Sequence, residues 1–143
     1  MIASDFIGKF EGCHKIKDGL LWPYVCPAGL WTQGWGRLVT ANSPAIDQAT
    51  ADGWFRQDIL RHEGYALDLS PNLLRESEAR QIAITSFVYN LGPTRYKGST
   101  LRQRINTANW AGAQVEIQKW VFGGGKKLPG LVIRRAAEAL LLR

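Results

Sequence analysis

The chain has 143 residues, 45% of them hydrophobic, and a formal net charge of +6. This length fits one domain with a sizeable core, and the charge favours anionic partners such as nucleic acid, a membrane surface or an acidic wall polymer. No lysine- or arginine-rich run occurs beyond pairs such as Lys126-Lys127, which disfavours a nucleic-acid tail. Cys13 and Cys26 lack metal-ligand spacing, so we expect no metal and no cofactor.

The N-terminus carries acidic residues early and has no long apolar segment, and no run of about 18 apolar residues occurs anywhere. The sequence therefore predicts neither a signal peptide nor a membrane span. We expect a protein that stays in the cytoplasm until something else releases it.

The first third of the chain predicts a helix followed by a small sheet. Apolar spacing over residues 2–12 favours a helix with Ser4 or Asp5 as its cap and Gly12 as its stop. Residues 13–21 are interpreted as a polar, irregular link. In residues 22–36, Pro and Gly alternate with β-favouring residues, which predicts two or three short strands, and residues 37–41 continue as strand or loop.

The remainder has helical periodicity. Helices are predicted over residues 47–67 with Asp47 as cap, 77–91, 100–106, 107–122 and 128–143, with a flexible loop at 123–127. The helix over 77–91 is apolar on most faces, which is typical of a central buried helix. The order predicts an α+β fold with segregated parts: one domain, 1–143, with a β-rich lobe at 13–46 and a helical lobe made of 1–12 and 47–143.

Glu11, Cys26 and Thr32 are the candidate catalytic residues. A glutamate near a helix end is usually a solvated surface charge, but against the neighbouring aromatic residues it could act as a general acid. Cys26 and Thr32 can face one space, although a lone cysteine is more often a small buried hydrophobe. A cysteine-protease site is disfavoured because His14 adjoins Cys13 and not Cys26.

The last helix combines basic and apolar residues and allows two interpretations. It could lie on a membrane surface, or it could be an amphipathic helix packed on the core, which we favour. If the first holds, the chain could be a cationic membrane-perturbing or wall-binding protein without catalysis.

Several ordered blocks carry a family resemblance. They are Glu11-Gly12, Tyr24-x-Cys26-Pro27-Ala28-Gly29-x-Trp31-Thr32-x-Gly34-x-Gly36, Phe87-Val88-Tyr89-Asn90-Leu91-Gly92, Ser99-Thr100-Leu101, Trp120, and Gly130-Leu131-x-x-Arg134-Arg135-x-x-Glu138. In this order they resemble the phage-type lysozymes, the endolysins related to the lysozyme of T-even bacteriophages. The resemblance implies a lysozyme-like fold, mostly helical with a small antiparallel sheet as one wall of a cleft. It also implies hydrolysis of the β-1,4 bond between N-acetylmuramic acid and N-acetylglucosamine in peptidoglycan.

The family's catalytic trio is a Glu on the first helix, an Asp in the sheet and a Thr six residues later. Glu11 and Thr32 match, whereas Cys26 fills the Asp position. The two-carboxylate scheme of glycosidases is therefore altered, and Asp18 is the rival second carboxylate, ranked below Cys26. A cysteine thiolate needs a positive neighbour, for which Arg37, Arg134 or Arg135 are the candidates.

Further residues and partners are carried over by position. Arg37 replaces a histidine that is usual in the family, and a changed ion pair is expected there. Implied substrate contacts are Leu38, Tyr89, Asn90, Thr100 and Gln114. A Cys13–Cys26 disulfide could disable the enzyme in an oxidising compartment, although two unpaired thiols are the favoured alternative in the cytoplasm.

The resemblance implies a monomer that binds bacterial peptidoglycan and no nucleic acid. It also implies that the protein depends on a membrane-permeabilising holin, moving from the host cytoplasm to the periplasm and cell wall to cause host lysis.

Overall fold

The computed structural model describes residues 2–12 and 15–143. Within them, two groups of strands and seven α-helices follow one another in chain order. The elements are α1 (Ala3–Gly8), β1 (Lys15–Lys17), β2 (Leu20–Trp22), β3 (Tyr24–Val25), β4 (Trp31–Gln33), β5 (Arg37–Leu38), α2 (Gln48–Leu69), a 3₁₀ helix (Pro71–Arg75), α3 (Glu78–Leu91), α4 (Pro93–Lys97), α5 (Thr100–Asn106), α6 (Trp110–Ile117), β6 (Phe122–Gly123), β7 (Lys126–Lys127) and α7 (Pro129–Leu141). The fold is α+β and mostly helical with small antiparallel sheets, as expected from the sequence.

The first helix is shorter than predicted. It ends at Gly8, and its N-cap residue is Ile2, whose side chain makes no capping hydrogen bond. The expected caps Ser4 and Asp5 lie inside the helix, and Gly12 does not stop it. Glu11 therefore stands beyond the last turn, in irregular backbone.

The polar link after α1 is in fact a hairpin. β1 pairs with β2, with Lys17 opposite Leu20, and the turn between them is Asp18-Gly19, with φ of 55° and 71°. Asp-Gly is the pair that favours such a two-residue turn, because both positions require positive φ. The interpretation of residues 13–21 as irregular was wrong for residues 15–21, since this turn signal was overlooked.

The predicted strands within residues 22–36 are confirmed. β3, β4 and β5 form a three-stranded antiparallel sheet in sequence order, with Tyr24 opposite Thr32 and Thr32 opposite Leu38. The buried Gln33 amide donates to the carbonyls of Leu21 and Pro44 at 2.9 Å each. Gln33 therefore ties the sheet to the β1–β2 hairpin and to the loop that leads into α2.

Two helices behave as their sequences predict. Asp47 caps α2 by accepting a hydrogen bond from the Thr50 amide at 2.8 Å. α3 is the central helix: every residue from 82 to 88 is buried, including Thr85 and Ser86. It packs against α1, α2 and α7, so the core of the helical lobe surrounds it.

The segment expected to be a flexible loop, residues 123–127, forms most of another β-hairpin. β6 pairs with β7, and Gly124 and Gly125 make the turn at φ of 58° and 79°. The 3₁₀ helix and α4, both of which begin at a proline, were not predicted from the sequence.

α7 packs on the core, as in the favoured of the two interpretations of the last helix. It contacts α3 and α6, and its buried residues include Arg134, Arg135 and Glu138. In the described part of the chain, no helix is both long and apolar enough to cross a membrane.

Candidate active site

Glu11 lies where the first helix, the sheet and the last helix meet. Its Oε1 accepts a hydrogen bond from Arg134 Nη1 at 2.6 Å. Its Oε2 lies against Gly36, where a Cβ added to the glycine would fall 2.7 Å from that oxygen. Gly36 has φ of 94°, so the backbone conformation also requires glycine. One carboxylate oxygen is therefore held by α7 and the other faces the β4–β5 turn.

Arg134 is fixed from behind by a second set of groups. Its Nη2 donates to the carbonyl and the hydroxyl of Ser86 at 3.2 Å each, and its Nε lies 3.4 Å from Glu138 Oε1. The Ser86 hydroxyl in turn donates to Glu138 Oε1 at 2.6 Å. The guanidinium also lies 5.2 Å from the Phe10 ring centroid. Because the Arg134 side chain is only 4% exposed, its orientation toward Glu11 is set by protein contacts and not by solvent.

Arg135 extends the same cluster. It is fully buried, its Nε lies 2.7 Å from Glu138 Oε2, and its Nη2 donates to Glu138 Oε1 and to Asn90 Oδ1 at 2.9 Å each. Burial lowers the pKa of Arg135 to about 10, against the opposing effect of Glu138. Burial likewise raises the pKa of Glu138, and the two arginines oppose that rise. The cluster holds two positive and two negative side chains when Glu11 is ionised.

Tyr89 connects α3 to the sheet beside Glu11. Its hydroxyl donates to the Trp35 carbonyl at 3.0 Å, and its ring contacts those of Phe55 and His62. Burial, and then the negative charge of Glu11, raise the pKa of Tyr89 above its ordinary value. Tyr89 therefore remains a neutral donor that secures the residue next to Gly36.

Cys26 and Thr32 lie on the sheet. Thr32 Oγ1 donates to the Tyr24 carbonyl at 3.1 Å, and the Cys26 amide donates to the Leu30 carbonyl at 2.8 Å. Cys26 directly follows β3, in which Tyr24 is paired with Thr32, so the side chains of Tyr24 and Thr32 share one face of the sheet. Leu38, the other cross-strand neighbour of Thr32, joins this face and is 66% exposed.

The three arginines considered as partners for Cys26 have other partners. Arg134 and Arg135 belong to the Glu11 cluster, as described. Arg37 lies 3.9 Å from Asp58 Oδ2 and places its guanidinium 4.4 Å from the Trp54 ring centroid. Arg37 thus forms an ion pair at the position where the family pattern has histidine. That one of them supplies the positive charge near the Cys26 thiol stays a prediction.

The other predicted site residues are exposed, bound to another residue or on other helices. Asp18 is exposed at the tip of the β1–β2 hairpin, and the Asn90 amide oxygen is taken up by Arg135. Thr100 begins α5 and Gln114 lies on α6; these two helices pack on each other in the helical lobe. The proposed disulfide partner Cys13 lies outside the described residues.

Ser86 and Glu138 have structural roles that were not predicted from the sequence. Ser86 and the adjacent Thr85 are small polar residues in the apolar stretch of α3, and Glu138 follows Arg134 by one helical turn. A polar residue inside such a stretch signals a buried partner, which could have identified Ser86. In the part of the chain that the structure describes, no three His, Cys, Asp or Glu side chains are close enough to hold a metal ion.

Comparisons with known proteins found a matching family and several relatives. A family profile described as "Phage lysozyme" matches residues 8–138. An endolysin of Acyrthosiphon pisum secondary endosymbiont phage 1 is 36% identical over 133 residues, covering 89% of this chain and 90% of that protein. Shorter matches include the SAR-endolysin of Escherichia phage Mu, of which the alignment covers 34%.

Solved structures share the fold. The active form of the P1 phage endolysin Lyz has a TM-score of 0.75 and 27% identity, over 98% of this chain and 82% of that one. The muramidase domain of SpmX from Asticaccaulis excentricus has a TM-score of 0.79 and 23% identity, over 98% and 93% of the two chains.

Proposed function

This chain belongs to the phage lysozyme family, and we propose that it hydrolyses the β-1,4 bond between N-acetylmuramic acid and N-acetylglucosamine, with Glu11 as general acid. Family membership makes the chain a glycoside hydrolase of the lysozyme type, and its substrate is bacterial peptidoglycan. The observation that supports the role of Glu11 is its place between Arg134 and Gly36, at the junction of the two lobes.

Glu11 gives its proton to the glycosidic oxygen as the bond to the sugar breaks. Arg134 holds Oε1 at 2.6 Å and stabilises the carboxylate that remains after proton transfer. Oε2, the oxygen turned toward Gly36, is the one that carries the proton in this scheme. Tyr89 fixes the adjoining Trp35 carbonyl, and therefore the backbone against which Glu11 rests.

On the sheet, Cys26 takes the place of the second carboxylate of glycosidases. As a thiolate it activates the attacking water or stabilises the positive charge that develops on the sugar. The hydroxyl of Thr32 donates to the Tyr24 carbonyl, which leaves its lone pairs to accept a hydrogen bond from that water. Leu38, Tyr89, Asn90, Thr100 and Gln114 remain the proposed substrate contacts, and Leu38 has the support of lying beside Thr32.

The substrate lies beyond the cytoplasmic membrane of the host. We therefore propose that the protein is made in the cytoplasm as a monomer and that a holin opens its way to the wall. Host lysis follows when the wall is cut, and the positive net charge suits an anionic envelope.

The experiment that tests this proposal compares Glu11→Gln with the wild type on purified peptidoglycan. The amide keeps the shape of Glu11 and cannot donate its proton, so the rate of turbidity loss should fall by about 100-fold to 10,000-fold. Glu78→Gln, which changes an exposed glutamate by the same substitution, should clear the substrate like the wild type. Undiminished clearance by Glu11→Gln would refute the glycosidase assignment of this residue.

The same pair of variants separates catalysis from membrane perturbation. Killing of whole cells should fall with Glu11→Gln to the same extent as clearance of the purified wall. Cell killing that survives the loss of wall hydrolysis would favour a cationic, non-catalytic action.

A further inference from the structure

Glu138 joins the two arginines of α7 in one buried cluster that ends at the proposed catalytic acid. Its carboxylate is fully buried, accepts hydrogen bonds from Ser86 and Arg135 at 2.6 and 2.9 Å, and lies 3.4 Å from Arg134 Nε. Arg134 then reaches Glu11 through its other end. Glu138 does not touch Glu11, so any effect on the acid acts through Arg134.

The charges of this cluster have a direct consequence for the orientation of Arg134. Its guanidinium lies 2.6 Å from Glu11 and is buried, so it needs acidic partners to offset its charge. Arg135, buried next to Arg134, adds a second positive charge on the same side. Glu138 is the negative charge that offsets both, because it lies between them and is shielded from solvent.

The groups that face the two glutamates come from three parts of the chain. Around Glu11 these are Arg134 from α7, the Tyr89 hydroxyl group from α3, the Gly36 backbone of the β4–β5 turn, and Arg135 at longer range. Around Glu138 they are Arg134 and Arg135 on its own helix and Ser86 on α3.

We propose that Glu138 is a positioning residue for the hydrolysis: together with Ser86 it fixes the Arg134 guanidinium in the orientation that holds Glu11. This proposal rests on the proposed role of Glu11 as general acid. A glutamate that served only to pack α7 would pair with Arg135 and need no link to Arg134. Ser86 instead links the two residues: its hydroxyl donates to Glu138 Oε1 and accepts a hydrogen bond from Arg134, which holds Glu11.

The test compares peptidoglycan clearance by Glu138→Gln and Glu138→Asp over a range of substrate concentrations. Without the carboxylate that fixes Arg134, Glu138→Gln should lose about tenfold in maximal rate, while the substrate concentration at half-maximal rate stays the same. Glu138→Asp keeps the charge and should recover part of that rate, even if the protein is less stable.

Two further measurements keep the test decisive. Glu78→Gln changes the net charge equally on the surface and should leave the maximal rate unchanged. Adding Glu138→Gln to Glu11→Gln should lower the residual rate by less than about twofold, because Glu138 acts only through the acid. If Glu138→Gln does not fold, as judged by thermal melting, Ser86→Ala decides in its place: it removes the other group that fixes Arg134 and should lower the maximal rate in the same way.

A maximal rate in Glu138→Gln equal to that of the wild type, or a loss by the same factor in the Glu11→Gln background, would overturn the proposal and leave Glu138 a packing residue. This outcome differs from failure of the proposed function, in which Glu11→Gln itself retains full activity.

Discussion

The two walls of the candidate site are built in different ways. Glu11 is held by contacts from distant parts of the chain, and its partner Arg134 lies 123 residues away in sequence. Cys26 is held within its own hairpin, where the Cys26 amide bonds Leu30 and the Gly29 amide bonds Cys26. The wall that carries Glu11, called the distant wall below, thus depends on the packing of α7 and α3. The wall that carries Cys26, called the local wall below, is formed within one short segment. Substitutions at residues far away in the sequence should therefore affect the position of Glu11 and not that of Cys26.

The largest expected effect comes from the chemistry of the local wall. Cys26→Ser keeps the size of the side chain and removes the group that ionises, so clearance of peptidoglycan should fall by about 100-fold or more. Cys26→Asp supplies a carboxylate, ionised at neutral pH, and should retain activity. If Cys26→Ser matches the wild type, the thiol has no role in the reaction.

Asp18→Asn is the matched comparison for this assignment. Asp18 lies exposed in the β1–β2 turn, where asparagine also accepts positive φ. The variant should therefore clear the wall at the wild-type rate. A loss of activity in Asp18→Asn together with an active Cys26→Ser would make Asp18 the second catalytic carboxylate.

Gly36→Ala tests the distant wall and should lower activity by about 100-fold, because its Cβ would lie 2.7 Å from Glu11 Oε2 and must displace the carboxylate. Gly29→Ala is its control on the other wall: Gly29 has φ of 81°, and an added Cβ there meets nothing within 4 Å. In both variants, an alanine at positive φ should lower the free energy of unfolding by about 1–3 kcal/mol, which urea unfolding measures. Equal activity losses in the two would mean that backbone strain, and not the position of Glu11, controls the rate.

The smallest effect concerns the helical core that supports the distant wall. Tyr96 is fully buried, its hydroxyl lies 2.6 Å from Ser70 Oγ, and burial raises its pKa to about 12. The folded state therefore binds this proton more tightly than the unfolded state, and stability falls as the pH rises from about 10 to 12. The loss should reach about 1 kcal/mol at pH 11.

Urea unfolding at pH 9 and pH 11 measures this loss. In Tyr96→Phe the contribution is absent, so the difference in unfolding free energy between the two pH values should shrink by the same amount. An unchanged difference would mean that Tyr96 ionises alike in both states.

The local wall was largely predictable from sequence. Pro27 and Gly29 between β-favouring residues predicted the hairpin that carries Cys26 and Thr32, and Asp47 predicted the start of α2. Where local prediction failed, the signal was often present: Asp18-Gly19 and Gly124-Gly125 are turn pairs that favour hairpins. These errors came from interpreting polar and glycine-rich segments as loops.

The distant wall could be predicted only in part. The resemblance identified Glu11 and placed Arg134, Arg135 and Glu138 in a family block, but charged residues on a terminal helix ordinarily face solvent. Their burial depends on Ser86, which lies 52 residues from Glu138 in sequence. Periodicity within one helix gives no information about which side chain of another helix it meets, so this cluster required the structure.

The most direct test of the central claim is the identity of the new chain ends in digested peptidoglycan. Purified wall is treated with the protein, the products are reduced with borohydride, and the fragments are identified by mass spectrometry. Hydrolysis by an N-acetylmuramidase predicts that reduced N-acetylmuramic acid ends appear with the wild type and fail to appear with Glu11→Gln. New N-acetylglucosamine ends, anhydro sugars or free peptides without new reducing ends would contradict the account.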